Sequence, residues 1–336
     1  MKNSKIKFGV VGCGNIGKRH LQVINDEKNA ELVSLCDIDE NICKKYSEMY
    51  SVPYFTNYLD LLESAKPEIV CICTPHGLHS QMSIDAAFKK INILVEKPMA
   101  LSVDDCHKMI KAAQENNVKL FVVKQNRYNK PIAITKEALD GNKLGKIYMV
   151  QCNVLWNRNV EYYIESDWRG KKLLEGGALH TQVCHFIDLL IWWFGEIIEA
   201  KTNIETRHHN IEIEDCGISN VKFESGVIGS IMWTTTVYNT NFEGSITIIG
   251  EKGTIKIGGK YLNKIDFWDV KSYPLPEGYE FEDKPNVYGK YQGTSSNHDK
   301  LIHDLVIKFS QNMKGVVEGT EGIKTVKAIE LMYKNI

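Results

Sequence analysis

The chain has 336 residues, of which 43% are hydrophobic and 25% are charged, and its formal net charge is −1. This length predicts about two globular domains, each large enough for a hydrophobic core. The near-zero charge disfavours a nucleic-acid-coating surface, and no apolar run approaches the roughly 20 residues of a membrane span.

Nine cysteines are present, several of them in apolar segments, and no pair has the Cys-x-x-Cys spacing of a zinc ribbon. The first residues lead into a strand pattern without an apolar leader. These features predict a protein of the reducing cytoplasm, with neither a disulfide framework nor a metal site. Neither nucleic acid nor a membrane is expected as a partner.

The first apolar run stops at Gly12-x-Gly14-x-x-Gly17 and continues directly into a helical pattern. In a strand–turn–helix of this kind, Gly12 permits the tight turn, Gly14 lets a pyrophosphate approach the backbone, and Gly17 lets the helix pack on the strand. The N–H groups at the helix start, at Asn15 and Ile16, then face the anion. The pattern is typical of a dinucleotide site, and a loop that only packs a helix is the alternative.

A second strand ends at Asp37, 20 residues after Gly17. A carboxylate at this distance can hydrogen-bond the adenosine ribose hydroxyls, and it repels a 2′-phosphate. The sequence therefore predicts NAD, in preference to NADP, as the cofactor.

Strand and helix patterns alternate up to residue 123, which predicts a doubly wound parallel sheet. Two buried-type strands end at Thr74-Pro75 and at Glu96-Lys97. Ligands of such sheets bind beyond the carboxyl ends of the strands. We predict a Rossmann domain over residues 1–123 with its site at this edge.

Lys97 lies at the mouth of a buried strand, directly before a proline. Its ammonium could stabilise the alkoxide that develops when a hydroxyl is oxidised, and partial desolvation would favour loss of its proton. Glu96 is the predicted partner that holds it. A solvated pair at a strand end is the alternative.

From residue 126 the pattern changes to long alternating strands joined by turns, which predicts an open antiparallel sheet in a second domain, residues 124–336. Strands are predicted over residues 143–156, 200–205, 216–223, 227–236, 243–249, 254–257 and 264–268. Helices at 299–309 and 322–334 are candidates to cover one face, and the other face often meets a second subunit.

Residues 176–195 predict a buried helix that carries a polar stripe, with Thr181, His185 and Asp188 at i, i+4 and i+7. His185 is a candidate general base that Asp188 could orient. A hydrogen-bonded structural histidine is the alternative.

Three further features have simpler interpretations available. His180 and Cys184, at i and i+4, could share a metal, but no third candidate ligand stands at a spacing typical of a metal site. The pair His208-His209 is predicted to lie in a solvated loop. Residues 156–172 combine aromatic rings with arginines, which suits a sugar face plus a phosphate or carboxylate, with an exposed loop as the alternative.

Four motifs together resemble the glucose-fructose oxidoreductase / inositol dehydrogenase (Gfo/Idh/MocA) family, and the resemblance covers essentially the whole chain. The motifs are Gly12-x-Gly14-x-x-Gly17, Thr74-Pro75 with His79, Glu96-Lys97-Pro98, and Gly176-Gly177 leading to His185-Phe-Ile-Asp188. The resemblance implies an α/β fold with an N-terminal Rossmann domain and a C-terminal α/β domain with an open, mostly antiparallel sheet. It also implies hydride transfer between NAD(P) and a sugar or cyclitol carbon.

The resemblance places the family's catalytic lysine at Lys97 and its histidine at His185. Many members have an aspartate four residues before that histidine, where this chain has Thr181, so Lys97 and His185 are left as the catalytic pair. Together with the patterns above, the expected cofactor-binding residues are Gly12, Gly14, Asn15, Ile16, Gly17, Asp37, Thr74, Pro75, His79, Glu96, Lys97 and Gln125. The expected substrate-binding residues are Lys97, Asn126, Arg127, Arg158, Tyr163, Trp168, Arg169, Thr181 and His185.

A narrower similarity links Ser166-Asp-Trp168-Arg169-Gly170 and the following Gly-Gly-x-Leu-x-x-Gln182 to members that oxidise nucleotide-linked sugars at C-3. Those members include UDP-N-acetylglucosaminuronate 3-dehydrogenases of polysaccharide pathways. The implied function is NAD-dependent oxidation at C-3 of a UDP-linked amino sugar or uronate by a homodimer or homotetramer. The alternatives are a dehydrogenase of a free cyclitol or simple sugar, a glycosidase that oxidises its sugar transiently, and a non-catalytic NAD(H)-binding regulator.

Overall fold

The computed structural model describes residues 5–277, 285–287, 292–311, 313 and 316–336. The chain folds into two compact units, which are Met1–Lys124 with His298–Val326, and Gln125–Asn297 with Lys327–Ile336. The predicted division assigned everything after residue 123 to the second domain. In the structure, residues 298–326 belong instead to the first unit.

The first unit contains six strands that form one parallel sheet. The strands are β1 (Ile6–Val11), β2 (Ala30–Cys36), β3 (Tyr54–Phe55), β4 (Ile69–Ile72), β5 (Asn92–Val95) and β6 (Leu120–Val122). Their order across the sheet is β3-β2-β1-β4-β5-β6, so the sheet is wound in both directions from β1. This confirms the predicted Rossmann architecture and brings all the strand carboxyl ends to one edge.

Helices α1 to α5 connect these strands and cover the sheet. Their bounds are α1 (Asn15–Asp26), α2 (Glu40–Tyr50), α3 (Tyr58–Ser64), α4 (His79–Phe88) and α5 (Val103–Glu115). The central strand β4 is at most 1% exposed along its length, as expected for a strand covered on both faces.

Helix α9 (His298–Ser310) was predicted to cover the second sheet, and this prediction is wrong. It packs in the first unit against α1, where the His303 imidazole Nδ1 lies 2.9 Å from a Glu27 carboxylate oxygen. Its apolar face is directed into this unit. An amphipathic pattern shows which face of a helix is buried, but it does not show which sheet buries it.

The second unit is built on a seven-stranded sheet. Its strands are β7 (Ile147–Leu155), β8 (Ile197–Glu205), β9 (Cys216–Phe223), β10 (Ile228–Thr234), β11 (Glu243–Gly250), β12 (Gly253–Gly258) and β13 (Lys264–Val270). The order is β13-β12-β11-β7-β10-β9-β8. The neighbours β7 and β10 run parallel and the other pairs are antiparallel, so the predicted mostly antiparallel sheet is confirmed. A separate small pair joins β14 (Pro285–Val287) to β15 (Gln292–Ser295).

Three helices belong wholly to this unit, and a fourth ends in it. They are α6 (Lys130–Asp140), α7 (Val160–Ile164), α8 (Cys184–Phe194) and α10 (Gly319–Lys334). Helix α6 has Pro131 in its first turn and was not predicted from the sequence. The helix predicted over residues 176–195 is shorter than expected, because a π-helical turn at Leu179–Val183 precedes α8.

Helix α8 is buried almost all round, as its composition predicts. Phe186 packs edge-on against Trp156 and Phe194 packs against Phe223, with both pairs of ring centroids 5.7 Å apart. This core holds the predicted polar stripe of α8 in place. Within the described residues, no helix combines the length and the apolar character that crossing a bilayer requires.

Candidate active site

The glycine turn between β1 and α1 is tightly enclosed at two of its three glycines. Gly12 has φ +89°, and a Cβ there would lie 2.7 Å from the Cys73 carbonyl oxygen. A Cβ at Gly17 would lie 1.7 Å from the Gly12 carbonyl oxygen. A Cβ at Gly14 would meet no atom within 4 Å, so the open space of the turn lies at Gly14. Gly14 also provides no side-chain cap for α1. The turn therefore leaves a cradle at a helix N-terminus that suits a pyrophosphate.

Asp37 is held beside this turn by main-chain donors. Its Oδ2 accepts a 2.7 Å hydrogen bond from the Cys13 N–H, and its Oδ1 accepts a 3.0 Å bond from the Asp39 N–H. The carboxylate is thus fixed next to the cradle, where ribose hydroxyls of a dinucleotide would need it. The open space at Gly14 and the placement of Asp37 both fit NAD.

Two alanine substitutions should separate the two roles of the glycines. Gly17→Ala should unfold or severely destabilise the protein, by more than about 3 kcal/mol, because its Cβ meets fixed backbone. Gly14→Ala should fold normally, since its backbone φ of −67° suits alanine. It should nevertheless weaken NAD binding by about tenfold or more, because the methyl group enters the pyrophosphate cradle. Thermal unfolding and a fluorescence titration with NADH measure both effects, and normal NADH affinity in Gly14→Ala would contradict the assignment.

His79 joins two of the predicted strand-end segments. Its Nε2 lies 2.9 Å from the Thr74 carbonyl oxygen and its Nδ1 lies 2.8 Å from the Pro98 carbonyl oxygen. Burial lowers the pKa of His79, whereas two carbonyl partners favour the protonated ring that can donate through both nitrogens. The imidazole therefore ties the loop after β4 to the loop after β5, in which the Lys97–Pro98 peptide bond is cis.

The Glu96 side chain was predicted to hold Lys97 and to contact the cofactor. In the structure it is 4% exposed, and its Oε1 lies 2.8 Å from His20 Nε2 and 3.5 Å from His298 Nε2. Its Oε2 accepts a 3.1 Å hydrogen bond from the Lys97 main-chain N–H. Neither histidine was predicted from the sequence to contact Glu96. His20 stands three residues after Gly17, but nothing in the sequence links it to His298.

In the second unit, Asp188 forms a two-pronged ion pair with Arg127. The Arg127 Nε and Nη2 donate to the two carboxylate oxygens at 2.8 and 2.9 Å. The Arg127 guanidinium also lies 4.8 Å from the Trp192 ring. Asp188 was predicted to orient His185, and Arg127 was predicted to bind substrate; their pairing with each other was not foreseen. His185, on the same helix, is 6% exposed.

The predicted aromatic and arginine segment forms a compact cluster. The Arg169 guanidinium stacks over the Tyr162 ring at 4.0 Å and lies 5.5 Å from the Trp168 ring. The Arg158 guanidinium lies 5.3 Å from the same Tyr162 ring. Two cations are therefore brought together over aromatic surface in α7 and its flanking loops, an arrangement that suits an anionic sugar ligand.

The loop that carries His209 is anchored to this cluster. His209 Nε2 lies 2.8 Å from the Arg158 carbonyl oxygen, and its Nδ1 lies 3.1 Å from Asp215. The prediction of a solvated loop is wrong for His209, which is 8% exposed. Tyr163, predicted to bind substrate, is also buried, with its hydroxyl 3.2 Å from the Thr235 hydroxyl.

The Gly176-Gly177 turn before the π-helical turn packs onto a buried acid. Both glycines have positive φ, and a Cβ at Gly177 would lie 2.0 Å from the Tyr333 hydroxyl oxygen. Glu214 Oε1 accepts hydrogen bonds from the Tyr333 hydroxyl at 2.8 Å and from the Leu179 N–H at 3.0 Å. Burial raises the pKa of Glu214 to about 7, against the opposing effect of these donors. The two glycines were predicted from the sequence, but the acid beneath them was not.

Glu214 should make stability depend on pH. The pKa of Glu214 is about 7 in the folded chain, against 4.5 for the same carboxyl group in the unfolded chain. The stability that its protonated form contributes is therefore complete below 4.5 and lost as pH rises to 7. Between about pH 5 and about pH 8 this loss should be about 3 kcal/mol, and Glu214→Gln should not show it. Urea unfolding at both pH values measures the difference. The exposed Glu115→Gln variant serves as control, and equal losses in wild type and Glu214→Gln would contradict the prediction.

Comparison with known proteins also supports the assignment of the glycine turn to NAD. Residues 6–124 match a family model described as "Oxidoreductase family, NAD-binding Rossmann fold", and residues 132–256 match the "GFO/IDH/MocA C-terminal domain". The chain belongs to the Gfo/Idh/MocA oxidoreductase family. This Gfo/Idh/MocA oxidoreductase is an NAD-dependent dehydrogenase of the class that acts on CH–OH groups, and NAD is its cofactor.

Among solved structures, this Gfo/Idh/MocA oxidoreductase is similar to the WlbA dehydrogenase from Bordetella pertussis in complex with NADH and UDP-GlcNAcA. The identity is 34%, the TM-score is 0.89, and the match covers 98% of this chain and 96% of that chain. The WlbA enzyme from Chromobacterium violaceum, with the same two ligands, is 35% identical with a TM-score of 0.91, covering 100% and 94%. A curated relative, the glucose-6-phosphate 3-dehydrogenase of Bacillus subtilis, is 24% identical over 98% of this chain and 95% of its own length.

Proposed function

We propose that this protein oxidises C-3 of a UDP-linked amino sugar or uronate, with NAD as the hydride acceptor. The observation that carries the proposal is the 34–35% identity, over at least 98% of the chain, to two dehydrogenases solved with NADH and UDP-GlcNAcA. The sequence resemblance in residues 166–182 supports the same substrate class.

The proposed chemistry assigns one role to each of two residues. When bound at the glycine turn, NAD would supply the acceptor for the hydride that leaves the sugar carbon. His185 takes the hydroxyl proton, and the Lys97 ammonium stabilises the negative charge that develops on the oxygen. The Lys97 main-chain N–H donates a hydrogen bond to the Glu96 carboxylate, and His185 stands on α8, which is buried almost all round. Both side chains therefore start from a fixed backbone.

The arginine cluster is the proposed anchor of the nucleotide sugar. Arg158 and Arg169 supply positive charge for a pyrophosphate or a uronate carboxylate, and Trp168 supplies apolar surface for a sugar face. Asn126, Arg127 and Thr181 are proposed to complete the sugar contacts. A sugar phosphate would also suit two arginines, and the similarity to a glucose-6-phosphate 3-dehydrogenase makes it the second candidate.

Turnover on a substrate panel tests the proposal. UDP-GlcNAcA, UDP-GlcNAc, glucose 6-phosphate and myo-inositol are each supplied with NAD, and the loss of two hydrogens from the sugar is followed by mass spectrometry alongside NADH absorbance. We expect kcat/KM for UDP-GlcNAcA to exceed that for myo-inositol by about 100-fold or more. Faster oxidation of glucose 6-phosphate would favour the second candidate, and no oxidation of any sugar would refute both.

A homo-oligomer is the proposed assembly, and the open face of the second sheet is the surface that a second copy would cover. Exposed apolar side chains line up across this face, where Met149 is the register partner of both Ile228 and Ile249. Their exposed fractions are 43%, 54% and 38%. Such a row is costly to leave in water.

Charge on this face should therefore prevent assembly. The double variant Met149→Glu/Ile228→Glu should sediment as a monomer under conditions where the wild type forms a larger species, because two carboxylates cannot be desolvated cheaply. Phe88→Glu, at an exposed apolar site in the first unit, is the matched control and should sediment like the wild type. A monomeric wild type would refute the assembly itself.

A further inference from the structure

Glu96, the residue before Lys97, belongs to a buried triad of ionisable side chains. Glu96 stands between His20, from α1, and His298, the first residue of α9, and the relative exposures of the three are 4%, 0% and 0%. The two imidazole rings meet edge to face with their centroids 5.3 Å apart. Three segments that are distant in the chain therefore converge on one carboxylate.

The two oxygens of this carboxylate have different partners. Oε1 faces the two imidazoles, with His20 Nε2 at 2.8 Å and His298 Nε2 at 3.5 Å. Oε2 accepts the 3.1 Å hydrogen bond from the Lys97 main-chain N–H. A carboxylate is planar and rigid, so groups that fix Oε1 also fix Oε2. They thereby fix the Lys97 main-chain N–H that donates its hydrogen bond to Oε2.

Electrostatics favour a charged Glu96 in this setting. Burial raises the pKa of the carboxyl, but the interactions with His20 and His298 outweigh burial and hold it well below its usual range. A buried carboxylate is tolerated only where partners compensate its desolvation. Removing a histidine partner would leave that charge uncompensated and allow Glu96 to turn or to take up a proton.

The same three residues could also be considered as metal ligands, since their ligating atoms lie within 4.8 Å of one another. A metal-bound imidazole normally donates its second N–H to an acceptor. Within the described part of the chain, His20 Nδ1 and both ring nitrogens of His298 have no hydrogen-bond partner, so His298 Nε2 faces Glu96 Oε1 at 3.5 Å without a hydrogen bond. The 2.8 Å approach of His20 Nε2 to Glu96 is itself a direct hydrogen bond. Direct contact between the three side chains is therefore the better account.

We propose that His20 and His298 are positioning residues that act through Glu96 to fix the main chain at Lys97 and thereby the direction of its ammonium group. The inference rests on the proposed catalytic role of Lys97. It adds a residue of α9, remote in sequence from every motif of the first unit, to the machinery of the reaction.

Amine labelling of the cofactor-free protein tests this without any substrate. An amine-reactive reagent is applied over a pH series, and the rate at Lys97 is measured by peptide mass spectrometry, with the exposed Lys108 as an internal reference. His298→Leu should change the Lys97 rate by about threefold or more, while Lys108 is unchanged. His298→Gln, which keeps a side-chain donor, should lie closer to the wild type. His303→Leu, on the same helix but 58% exposed, is the matched control.

A double-mutant cycle then separates this inference from the proposed function. With the panel sugar that is oxidised fastest, His298→Leu should lower kcat by about tenfold in the wild type and have little effect in a Lys97→Met background. An equal loss in both backgrounds, or unchanged labelling of Lys97, would refute the positioning role and leave the catalytic role of Lys97 intact. Wild-type turnover by Lys97→Met would instead refute the proposed catalytic role of Lys97, on which the inference rests.

Two further results complete the test. If His298→Leu does not fold, the cycle is run with His298→Asn, whose shorter amide should lose the contact with Glu96 and give the same loss of kcat. Elemental analysis of the purified protein should find no stoichiometric divalent metal. One equivalent of metal that disappears in the His298 variants would overturn the inference in favour of a metal site.

Discussion

Lys97→Met should lower kcat by roughly 10³-fold while leaving the affinity for NADH within about threefold of the wild type. The methionine side chain keeps most of the apolar stem of lysine and removes only the charged end. The transition state would then lose the cation that stabilises the developing alkoxide, whereas the glycine turn and Asp37, which are proposed to hold the dinucleotide, are untouched. Steady-state kinetics and an NADH fluorescence titration separate the two effects.

The control for this variant is Lys108→Met, which removes an exposed lysine from α5 and should behave as the wild type. If Lys97→Met lost NADH binding to the same extent as turnover, Lys97 would be a cofactor ligand without a catalytic role. If it kept wild-type turnover, the assignment of the catalytic lysine would be wrong.

His185→Ala should lower kcat by roughly 10²- to 10³-fold, because no other base is proposed to take the hydroxyl proton. His185 is a buried residue of α8, and the loss of its imidazole leaves space there. Added imidazole should therefore restore part of the activity, which a purely structural histidine would not show.

His107→Ala, at an exposed histidine of α5, is the matched control and should not respond to imidazole. A His185→Ala enzyme with nearly normal kcat would return His185 to the structural role that a buried, hydrogen-bonded histidine more often has. If the His185→Ala variant were stable and inactive but did not respond to imidazole, its loss of activity would not come from the loss of a proton acceptor.

The parts of the fold that could be predicted are those with a short-range signal. The glycine turn, Asp37 and the buried strands of the first unit are each specified by a few neighbouring residues, and the structure places them as expected. The alternation of strands in the second unit was equally readable. The parallel pairing of β7 with β10 was not, because alternation along a strand does not reveal its neighbour.

The candidate site shows the same limit more sharply. Glu96 could be recognised as important from its position before Lys97, but its partner His298 lies about two hundred residues away and carries no motif. Asp188 was expected beside His185 from helical spacing, yet its two oxygens accept from Arg127, which comes from a different segment. Pairings between distant segments depend on the assembled fold, and helix periodicity cannot foresee them.

The hydrogen bond from the Cys13 N–H to Asp37 has a consequence for redesign of the cofactor preference. Replacing Asp37 by a small or cationic residue would relieve repulsion toward a phosphorylated ribose, but it would also deprive the Cys13 amide of its acceptor and loosen the turn that precedes α1. A substitution that retains a short side-chain oxygen, such as Asp37→Ser, with a new cation introduced elsewhere, would change coenzyme selectivity and keep the loop anchored.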